Sequence, residues 1–308
     1  PVLSEIAAIL FRKCLAVLLF GGVVGSASAE NWPAWRGPAG NGISTEQNVP
    51  TEWGPDKHVA WKLALPGPAG ATPVVWGERI FLTSVNEAGE LLLMCVNTAG
   101  KPQWQQVVAK GNQNSRGDEG NSASPSPVTD GQHVWTFMGD GTLACYTVTG
   151  EQVWKLNLQD RYGKFQIQFG MSSTPVLEQG KLYLQLIHGE GNPQTREAVV
   201  VALDGKTGAE VWKVDRPSDA EAENEHSYAS PVLYRDDKTT LLLTHGADFI
   251  IAHDLQDGHE VWRFDHAEQV QLPNKTTVWA ARQHHDWQRE GYAAGYYAPG
   301  GTPLVDRG

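Results

Sequence analysis

Six side chains, spread over several segments of the sequence, are of the types that bind small ligands or metal ions. Three imidazoles titrate near neutral pH and are common metal ligands, and two carboxylates and a guanidinium accompany them. They are Arg116, Asp118, Glu119, His188, His226 and His245. If the fold brings them together, they form a pocket for a small ligand or a metal ion. The alternative is that they are ordinary polar loops without a ligand.

A repeated tight turn is the element that would position these residues. The stretch from Val200 to Trp212 reads as a buried strand, a turn and the start of the next strand. In that turn Asp204 can bond to its own backbone two residues on, and Gly208 supplies a positive φ at no steric cost. The device recurs before Trp262, and in shorter or weaker form before Trp154 and Trp104, always with a glycine four residues before the tryptophan.

A second marker, a serine or threonine followed by Pro-Val, alternates with this turn through four cycles. It occurs at Thr72-Pro73-Val74, Ser126-Pro127-Val128, Thr174-Pro175-Val176 and Ser230-Pro231-Val232. The turn tryptophans are spaced by 50, 58 and 50 residues. Short strands at a period near 50 are typical of propeller blades. The sequence therefore predicts an all-β fold, a β-propeller of four-stranded blades over residues 59–262, with about four blades present in an incomplete ring.

The propeller topology gives the six candidate residues a common place. Loops that lead into each innermost strand open on the same face as the connections between second and third strands. The loops that lead into the innermost strands contribute residues 116–121, 162–171 and 225–228. The connections between second and third strands contribute His188 and His245. The prediction is a ligand site at one mouth of the central channel, occupied by a protein or a small molecule.

The N-terminal segment predicts export. Arg12 and Lys13 precede a short apolar run at residues 14–24, which is followed by Gly25-Ser26 and the cleavage-site pattern Ala27-Ser28-Ala29. This is the pattern of a signal peptide over residues 1–29, with an apolar region shorter than a membrane span. The mature chain would then lie in the periplasm or at the cell surface and have no transmembrane segment. An N-terminal membrane anchor is the alternative.

The segments that flank the repeat, and the cysteines within it, also have recognisable sequence patterns. Residues 30–58 form a loop-like lead-in anchored by Trp32 and Trp35, and residues 59–65 alternate like an isolated, ring-closing strand. Residues 263–308 form an aperiodic tail without the alternation of strands, which predicts a frameshift or truncation product in place of a native blade. Cys95 and Cys145 occupy a small-residue position of the repeat, which indicates buried free thiols.

The charge of the chain excludes one class of partner. The formal net charge is -11, and the sequence has no basic stripe that would neutralise phosphates. We therefore expect no nucleic-acid partner.

Two motifs resemble those of a known family. The stretch Trp32-Pro33-Ala34-Trp35-Arg36-Gly37-Pro38 and the turn pattern Ala-x-Asp-x-x-Thr-Gly-x-x-x-Trp are similar to those of exported PQQ-like β-propeller repeat proteins. The resemblance covers residues 31–262 and implies a larger propeller than four blades. Three functional classes share this repeat: quinoprotein dehydrogenases, the propeller lipoprotein of outer-membrane β-barrel assembly, and exported propellers without an assigned role.

The leading functional hypothesis is an exported binding or scaffold module, with no catalytic, cofactor-binding or metal residues assigned. The first alternative is a quinoprotein oxidoreductase using PQQ and Ca²⁺. The resemblance implies that such an enzyme covers its quinone with a disulfide between adjacent cysteines, and the sequence has no adjacent cysteine pair. The second alternative is a polysaccharide- or peptide-binding propeller that uses exposed aromatic residues at the blade edges.

Overall fold

The computed structural model describes most of the chain between residues 30 and 265. Within that range residues 48, 115–119, 168, 189–197, 219, 221–225 and 248 are not described, and beyond it four short strands are. The chain divides into a unit of residues 1–30 and a unit of residues 31–308. All the strands of the described residues belong to the second unit, and the predicted signal peptide lies outside the described residues.

Four antiparallel four-stranded sheets follow one another along the chain, as the repeat predicts. Blade 1 consists of β1 (Val74–Trp76), β2 (Arg79–Val85), β3 (Glu90–Asn97) and β4 (Pro102–Lys110). Blade 2 consists of β5 (Val128–Thr129), β6 (His133–Phe137), β7 (Thr142–Thr147) and β8 (Gln152–Asn157). A single-turn helix, α1 (Gln159–Tyr162), follows it.

The second pair of blades repeats this order. Blade 3 consists of β9 (Val176–Glu178), β10 (Lys181–Ile187), β11 (Ala198–Asp204) and β12 (Glu210–Asp215). Blade 4 consists of β13 (Val232–Arg235), β14 (Thr240–Gly246), β15 (Phe249–Asp254) and β16 (Glu260–Asp265). In every blade the strands pair in chain order, so each connection is a hairpin and the prediction of an all-β propeller with four blades is confirmed.

The core of the molecule lies between the blades. Successive side chains of a strand point to opposite faces of the sheet, and in blade 3 both faces are covered. Leu182 belongs to an apolar cluster shared with Phe137 and Leu143 of blade 2, whereas its neighbour Tyr183 belongs to a cluster with Leu242 of blade 4. A third cluster joins blades 1 and 2. This two-sided burial explains why the middle strands are continuous apolar runs instead of alternating ones.

The turn tryptophans join each blade to the next. The indole Nε1 of Trp104 donates to Val148 O at 3.0 Å, that of Trp154 to Gly205 O at 2.9 Å, and that of Trp212 to Leu255 O at 3.1 Å. Each acceptor lies in or beside the turn of the following blade. Each indole also covers that turn's positive-φ glycine, which is Gly150, Gly208 and Gly258 in order.

The predicted isolated strand at residues 59–65 is wrong, because these residues belong to no strand. Trp61 instead makes the same contact as the other turn tryptophans: its Nε1 donates to Thr98 O at 2.8 Å, and its ring covers Gly100. Leu63 packs with Leu82 and Leu92 of blade 1. The segment therefore supplies blade 1 with the tryptophan that a preceding blade would provide.

The lead-in runs along the innermost strands. Trp32 forms an antiparallel bridge with Val75 of β1, and Pro33 O accepts a hydrogen bond from Thr129 N of β5 at 2.9 Å. Trp32 is thus an anchor, as predicted. Trp35 is a weaker hydrophobic anchor than predicted, because 41% of its surface is exposed.

Two short strand pairs occur in the tail beyond residue 265. β17 (Gln269–Gln271) pairs with β18 (Thr277–Trp279), and β19 (Tyr297–Ala298) pairs with β20 (Thr302–Pro303). The aperiodic sequence of the tail therefore does not exclude strands, contrary to the expectation. Whether the tail is native sequence stays a prediction.

Candidate functional site

A buried glutamine, Gln185, joins the ends of blades 3 and 4, where the sequence predicts the channel mouth. Gln185 of β10 donates through Nε2 to Ser227 Oγ at 3.0 Å and to His245 O at 2.9 Å, and its Oε1 accepts from His245 N at 3.1 Å. Ser227 Oγ also donates to His245 O at 2.5 Å, and Ser227 N donates to Ile187 O at 2.9 Å. These bonds fasten the loop leading into blade 4 to the ends of β10 and β14.

The network places the three predicted histidines in adjoining segments. His188 directly follows Ile187, His226 precedes Ser227, and His245 belongs to β14. His188 is buried, and its ring centroid lies 5.0 Å from that of Phe165 in the loop before blade 3. Whether the three imidazoles share one opening stays a prediction, and Arg116, Asp118 and Glu119 lie outside the described residues.

A second concave surface lies on the channel side of the innermost strands, and we call it the inner groove. Its volume is about 140 Å³. One wall is the lead-in around Trp35 and Arg36, and the other is formed by the starts of β9 and β13 with the Pro-Val markers that precede them. The sequence does not predict this groove, because the lead-in has a loop-like composition and the Pro-Val markers indicate only strand starts.

Of the two arginines that line the inner groove, one is paired with a carboxylate and the other is not. Arg235 forms an ion pair with Glu178 at 2.6 Å, so its charge is balanced within the groove. Arg36 donates to the backbone carbonyl of Asn41 at 3.3 Å, and its guanidinium carbon lies 5.8 Å from the Trp35 ring centroid. None of the ion pairs within the described part of the chain involves Arg36. The groove therefore presents one cation without an internal counter-charge.

A group of potential metal ligands lies on the turn of blade 4. Asp254, Asp257 and His259 place their ligand atoms within 4.8 Å of one another. His259 Nδ1 lies 2.6 Å from Asp257 Oδ1, and this hydrogen bond raises the pKa of His259. Backbone and side-chain hydrogen bonds from His259 lower the pKa of Asp257. The sequence predicts a structural turn in this stretch, and the hydrogen bond between His259 and Asp257 stabilises that turn.

The described cysteines behave as the sequence predicts. Cys95 and Cys145 are buried free thiols on β3 and β7. Burial raises the pKa of Cys95 to about 11 and that of Cys145 to about 12. Because the thiolate is the reactive form, both thiols are unreactive at neutral pH.

The repeat matches a known family model. A model described as outer membrane protein assembly factor BamB matches residues 139–283, which run from blade 2 to beyond blade 4. That match falls on the same four-stranded units that the tryptophan contacts join. Over these blades the chain is similar to the PQQ-like β-propeller repeat proteins.

Similar proteins include dehydrogenases. The polyvinylalcohol dehydrogenase of a Pseudomonas species is 25% identical, over 61% of this chain and 29% of that protein. Among solved structures, a europium-containing methanol dehydrogenase aligns with a TM-score of 0.55 at 14% identity, over 77% of this chain and 49% of its own. The quinohemoprotein alcohol dehydrogenase of Comamonas testosteroni aligns with a TM-score of 0.51 at 15% identity, over 79% and 42%. These two likenesses show the fold alone.

The chain spans less than half of the length of each of these proteins. Among the described residues, the cysteines do not form the adjacent pair that the resemblance implies for a quinone site. Cys95 and Cys145 lie on separate blades, and the acidic cluster with Asp254 is on an outer turn and already paired with a histidine. Among the described residues, no helix combines the length and apolarity needed to cross a membrane.

Proposed function

We propose that this PQQ-like propeller is an exported binding or scaffold module whose ligand, a protein or a small molecule, contacts the channel mouth. The observation that carries the proposal is the Gln185 network. Three separate segments meet there through hydrogen bonds of 2.5–3.1 Å, so the loop and strand ends are held in place before a ligand arrives. Binding to a preorganised surface loses less conformational entropy than binding to a mobile one.

The chemistry of the proposed mouth is that of the six predicted residues, Arg116, Asp118, Glu119, His188, His226 and His245. Imidazoles and carboxylates accept hydrogen bonds and coordinate cations, and a guanidinium binds carboxylates. His226 is the most useful probe, because it is half-buried in the leading loop, whereas His188 is fully buried.

Thermal-shift titration of the mature protein tests the proposal. The probes are Zn²⁺, Ca²⁺ and a panel of small carboxylates and sugars, because a ligand that binds the folded state raises the melting temperature. We expect at least one probe to do so, and the shift to be lost in His226→Gln. His58→Gln, which replaces an exposed histidine of the lead-in, is the matched control and should leave the shift unchanged. A shift that persists in His226→Gln would place the ligand elsewhere.

A second candidate function is PQQ-dependent oxidation, and the likeness to polyvinylalcohol dehydrogenase is the observation that favours it. Its test is incubation with PQQ and Ca²⁺, followed by spectroscopy of bound quinone and by reduction of an artificial electron acceptor with polyvinyl alcohol. Retention of quinone through gel filtration, together with substrate-dependent reduction, would replace the binding-module proposal.

A further inference from the structure

The innermost strands expose backbone groups toward the channel at one equivalent position in every blade. The position is the second residue after the marker proline: Val75, Thr129, Leu177 and Leu233 in blades 1 to 4. The strand registers confirm the equivalence, because these residues lie opposite Ile80, Val134, Leu182 and Leu242 of the second strands.

In blades 1 and 2 the lead-in satisfies this position. Val75 N donates to Trp32 O at 2.8 Å, and Trp32 N donates to Val75 O at the same distance. In blade 2 Thr129 N donates to Pro33 O. The carbonyls of two consecutive residues of the lead-in therefore accept hydrogen bonds from two consecutive blades.

The same amide in blades 3 and 4 points into the inner groove. In an antiparallel pair, hydrogen-bonded and non-bonded residue pairs alternate. In blade 4 Asp236 N donates to Thr239 O at 3.0 Å, so the alternation makes the pair of Leu233 and Leu242 a non-bonded one. The amide of Leu233 consequently faces away from β14. In blade 3 a two-residue turn joins Glu178 to Lys181, so these two residues form the hydrogen-bonded pair next to the turn. The next pair, Leu177 and Leu182, is then a non-bonded one, and the amide of Leu177 faces away from β10.

The lead-in does not reach these two amides. Gly37 N donates to Ala34 O at 2.9 Å, so the extended course of the lead-in ends in a turn directly after Pro33. Within the described part of the chain no carbonyl bonds to the amide of Leu177 or Leu233, although both residues line the groove and are half-buried. A partly buried backbone N–H is stabilised by a hydrogen-bond acceptor. Among the described residues, the N–H groups of Leu177 and Leu233 have no backbone acceptor, so the groove can accommodate two acceptors from a ligand.

We propose that the inner groove binds an extended peptide segment that carries a carboxylate side chain. Successive carbonyls of the peptide accept from Leu177 N and Leu233 N, as those of Trp32 and Pro33 do in the first two blades. The carboxylate pairs with Arg36, the groove cation without an internal counter-charge. This is strand addition to a sheet edge, with specificity from one charged contact.

The blade spacing favours a peptide over a small carboxylate. Trp32 and Pro33 show that consecutive peptide carbonyls reach consecutive blades, whereas the two oxygens of one carboxylate are bonded to the same carbon and stay on one blade. The walls around the amides are prolines, valines and leucines, which suit the side chains of an extended segment. The proposal is independent of the channel mouth, because its residues belong to the lead-in and to the innermost strands.

The test uses the 308-residue chain and a randomised library of N-acetylated, C-amidated tetrapeptides. Binders are selected by affinity mass spectrometry, and their dissociation constants are measured by calorimetry. We expect enrichment of Asp or Glu at one position and a roughly tenfold loss of affinity when that residue becomes Gln or Asn, the scale of a charge-assisted hydrogen bond. The same substitution in the peptide should have little effect on binding to Arg36→Gln.

Matched variants make the test decisive. Lys238→Gln removes an exposed cation from the turn after β13, outside the groove, and should leave the affinity unchanged. His226→Gln, which tests the channel mouth, should also leave it unchanged. Replacing the peptide bond whose carbonyl faces Leu177 with an ester weakens the acceptor and should lower the affinity. Absence of any binder, no acidic preference, equal losses in Arg36→Gln and Lys238→Gln, or equally tight binding of succinate would each overturn the proposal.

Discussion

At the scale of single residues, the turn of blade 3 shows how few atoms define the repeat. Asp204 Oδ1 accepts from Lys206 N, Thr207 N and Thr207 Oγ1 at 2.8–3.0 Å, and Gly208 N donates to Asp204 O. The hydrogen bond from the Thr207 hydroxyl is the main reason that the pKa of Asp204 is lowered. Gly208 has a φ of +69°, as the sequence predicts, and lies under the indole of the preceding blade.

Gly208→Ala separates backbone strain from packing. A Cβ at this position would lie 2.9 Å from Leu156 Cδ2 and 3.1 Å from the Trp154 ring, in addition to its left-handed φ. Gly180 is the matched control, because its φ is +74° and no atom lies within 4 Å of the place that a Cβ would occupy. We expect Gly180→Ala to cost about 1–2 kcal/mol and Gly208→Ala about 2–4 kcal/mol in urea denaturation. Equal losses at the two sites would show that the indole contact is not tight.

His253 is a buried histidine whose hydrogen bonds define its tautomer. Its Nδ1 lies 3.0 Å from Gly258 O, and because a carbonyl can only accept, Nδ1 carries the proton. Its Nε2 then accepts from the Thr244 hydroxyl at 3.1 Å. Burial is the main cause that lowers the pKa of His253, so the neutral ring is the stable form in the folded protein.

This histidine predicts acid sensitivity of the fold. Because the pKa is lower in the folded than in the unfolded state, the unfolded state binds more protons as the pH falls below about 6.5, and stability is lost there. His253→Leu introduces the residue that occupies the equivalent place in blade 3, Leu203. We expect the slope of unfolding free energy against pH, measured by urea denaturation between about pH 5 and 7.5, to be smaller in the variant by up to about 1.4 kcal/mol per pH unit. Parallel pH profiles would refute the assignment.

At the scale of elements, the tryptophan contact is what makes one blade support the next. Without this contact, the outermost strand of each blade would be held only by its pairing with the neighbouring strand of the same blade. Its indole extends over the turn of the following blade and donates to a backbone carbonyl there. Gly205 O accepts from two indoles, those of Trp135 at 2.7 Å and Trp154 at 2.9 Å. The contact thus couples strand β8 to the turn of blade 3 through both packing and hydrogen bonds.

The last two turn tryptophans provide a direct comparison. Trp212 is 7% exposed beneath blade 4, whereas Trp262 is 41% exposed. We expect Trp212→Ala to lower the unfolding free energy by about 3–5 kcal/mol, the usual cost of removing a buried large aromatic side chain. Trp262→Ala should cost less, about 2–3 kcal/mol, because a larger fraction of its surface is already exposed to water. Similar losses in chemical denaturation would mean that a further element covers Trp262.

At the scale of the whole molecule, the described blades form an incomplete propeller whose two ends differ. Trp61 already fills the turn of blade 1, so that end resembles an internal blade junction. At the other end Trp262 is half-exposed on β16. An uncovered outer blade face with an apolar residue favours association with another surface.

Export remains a prediction for the molecule as a whole. The charged residues Arg12 and Lys13, the apolar run and Ala27-Ser28-Ala29 predict cleavage after residue 29. We expect N-terminal sequencing of the protein recovered from the periplasm or the medium to begin at Glu30. Recovery of a chain that starts near Pro1 would contradict this and would favour the membrane-anchor alternative.

The sequence by itself determined the features that repeat. Strand type, blade order, the positive φ of Gly208 and the buried free thiols of Cys95 and Cys145 all follow from short patterns that recur with each blade. Such patterns are readable because each depends on contacts within a few residues of the chain. The same local reading failed at residues 59–65, where alternation resembled a strand but Trp61 docks without a strand of its own.

Only the tertiary structure decided where non-repeating residues lie. The course of Trp32 and Pro33 along two blades, the orientation of the Leu177 and Leu233 amides and the network of Gln185 all join residues far apart in sequence. No local pattern signals such contacts, because they depend on the spacing between blades. The sequence predicts that His188, His226 and His245 lie at one end of the blades, but the hydrogen bonds that hold their segments together are visible only in the tertiary structure.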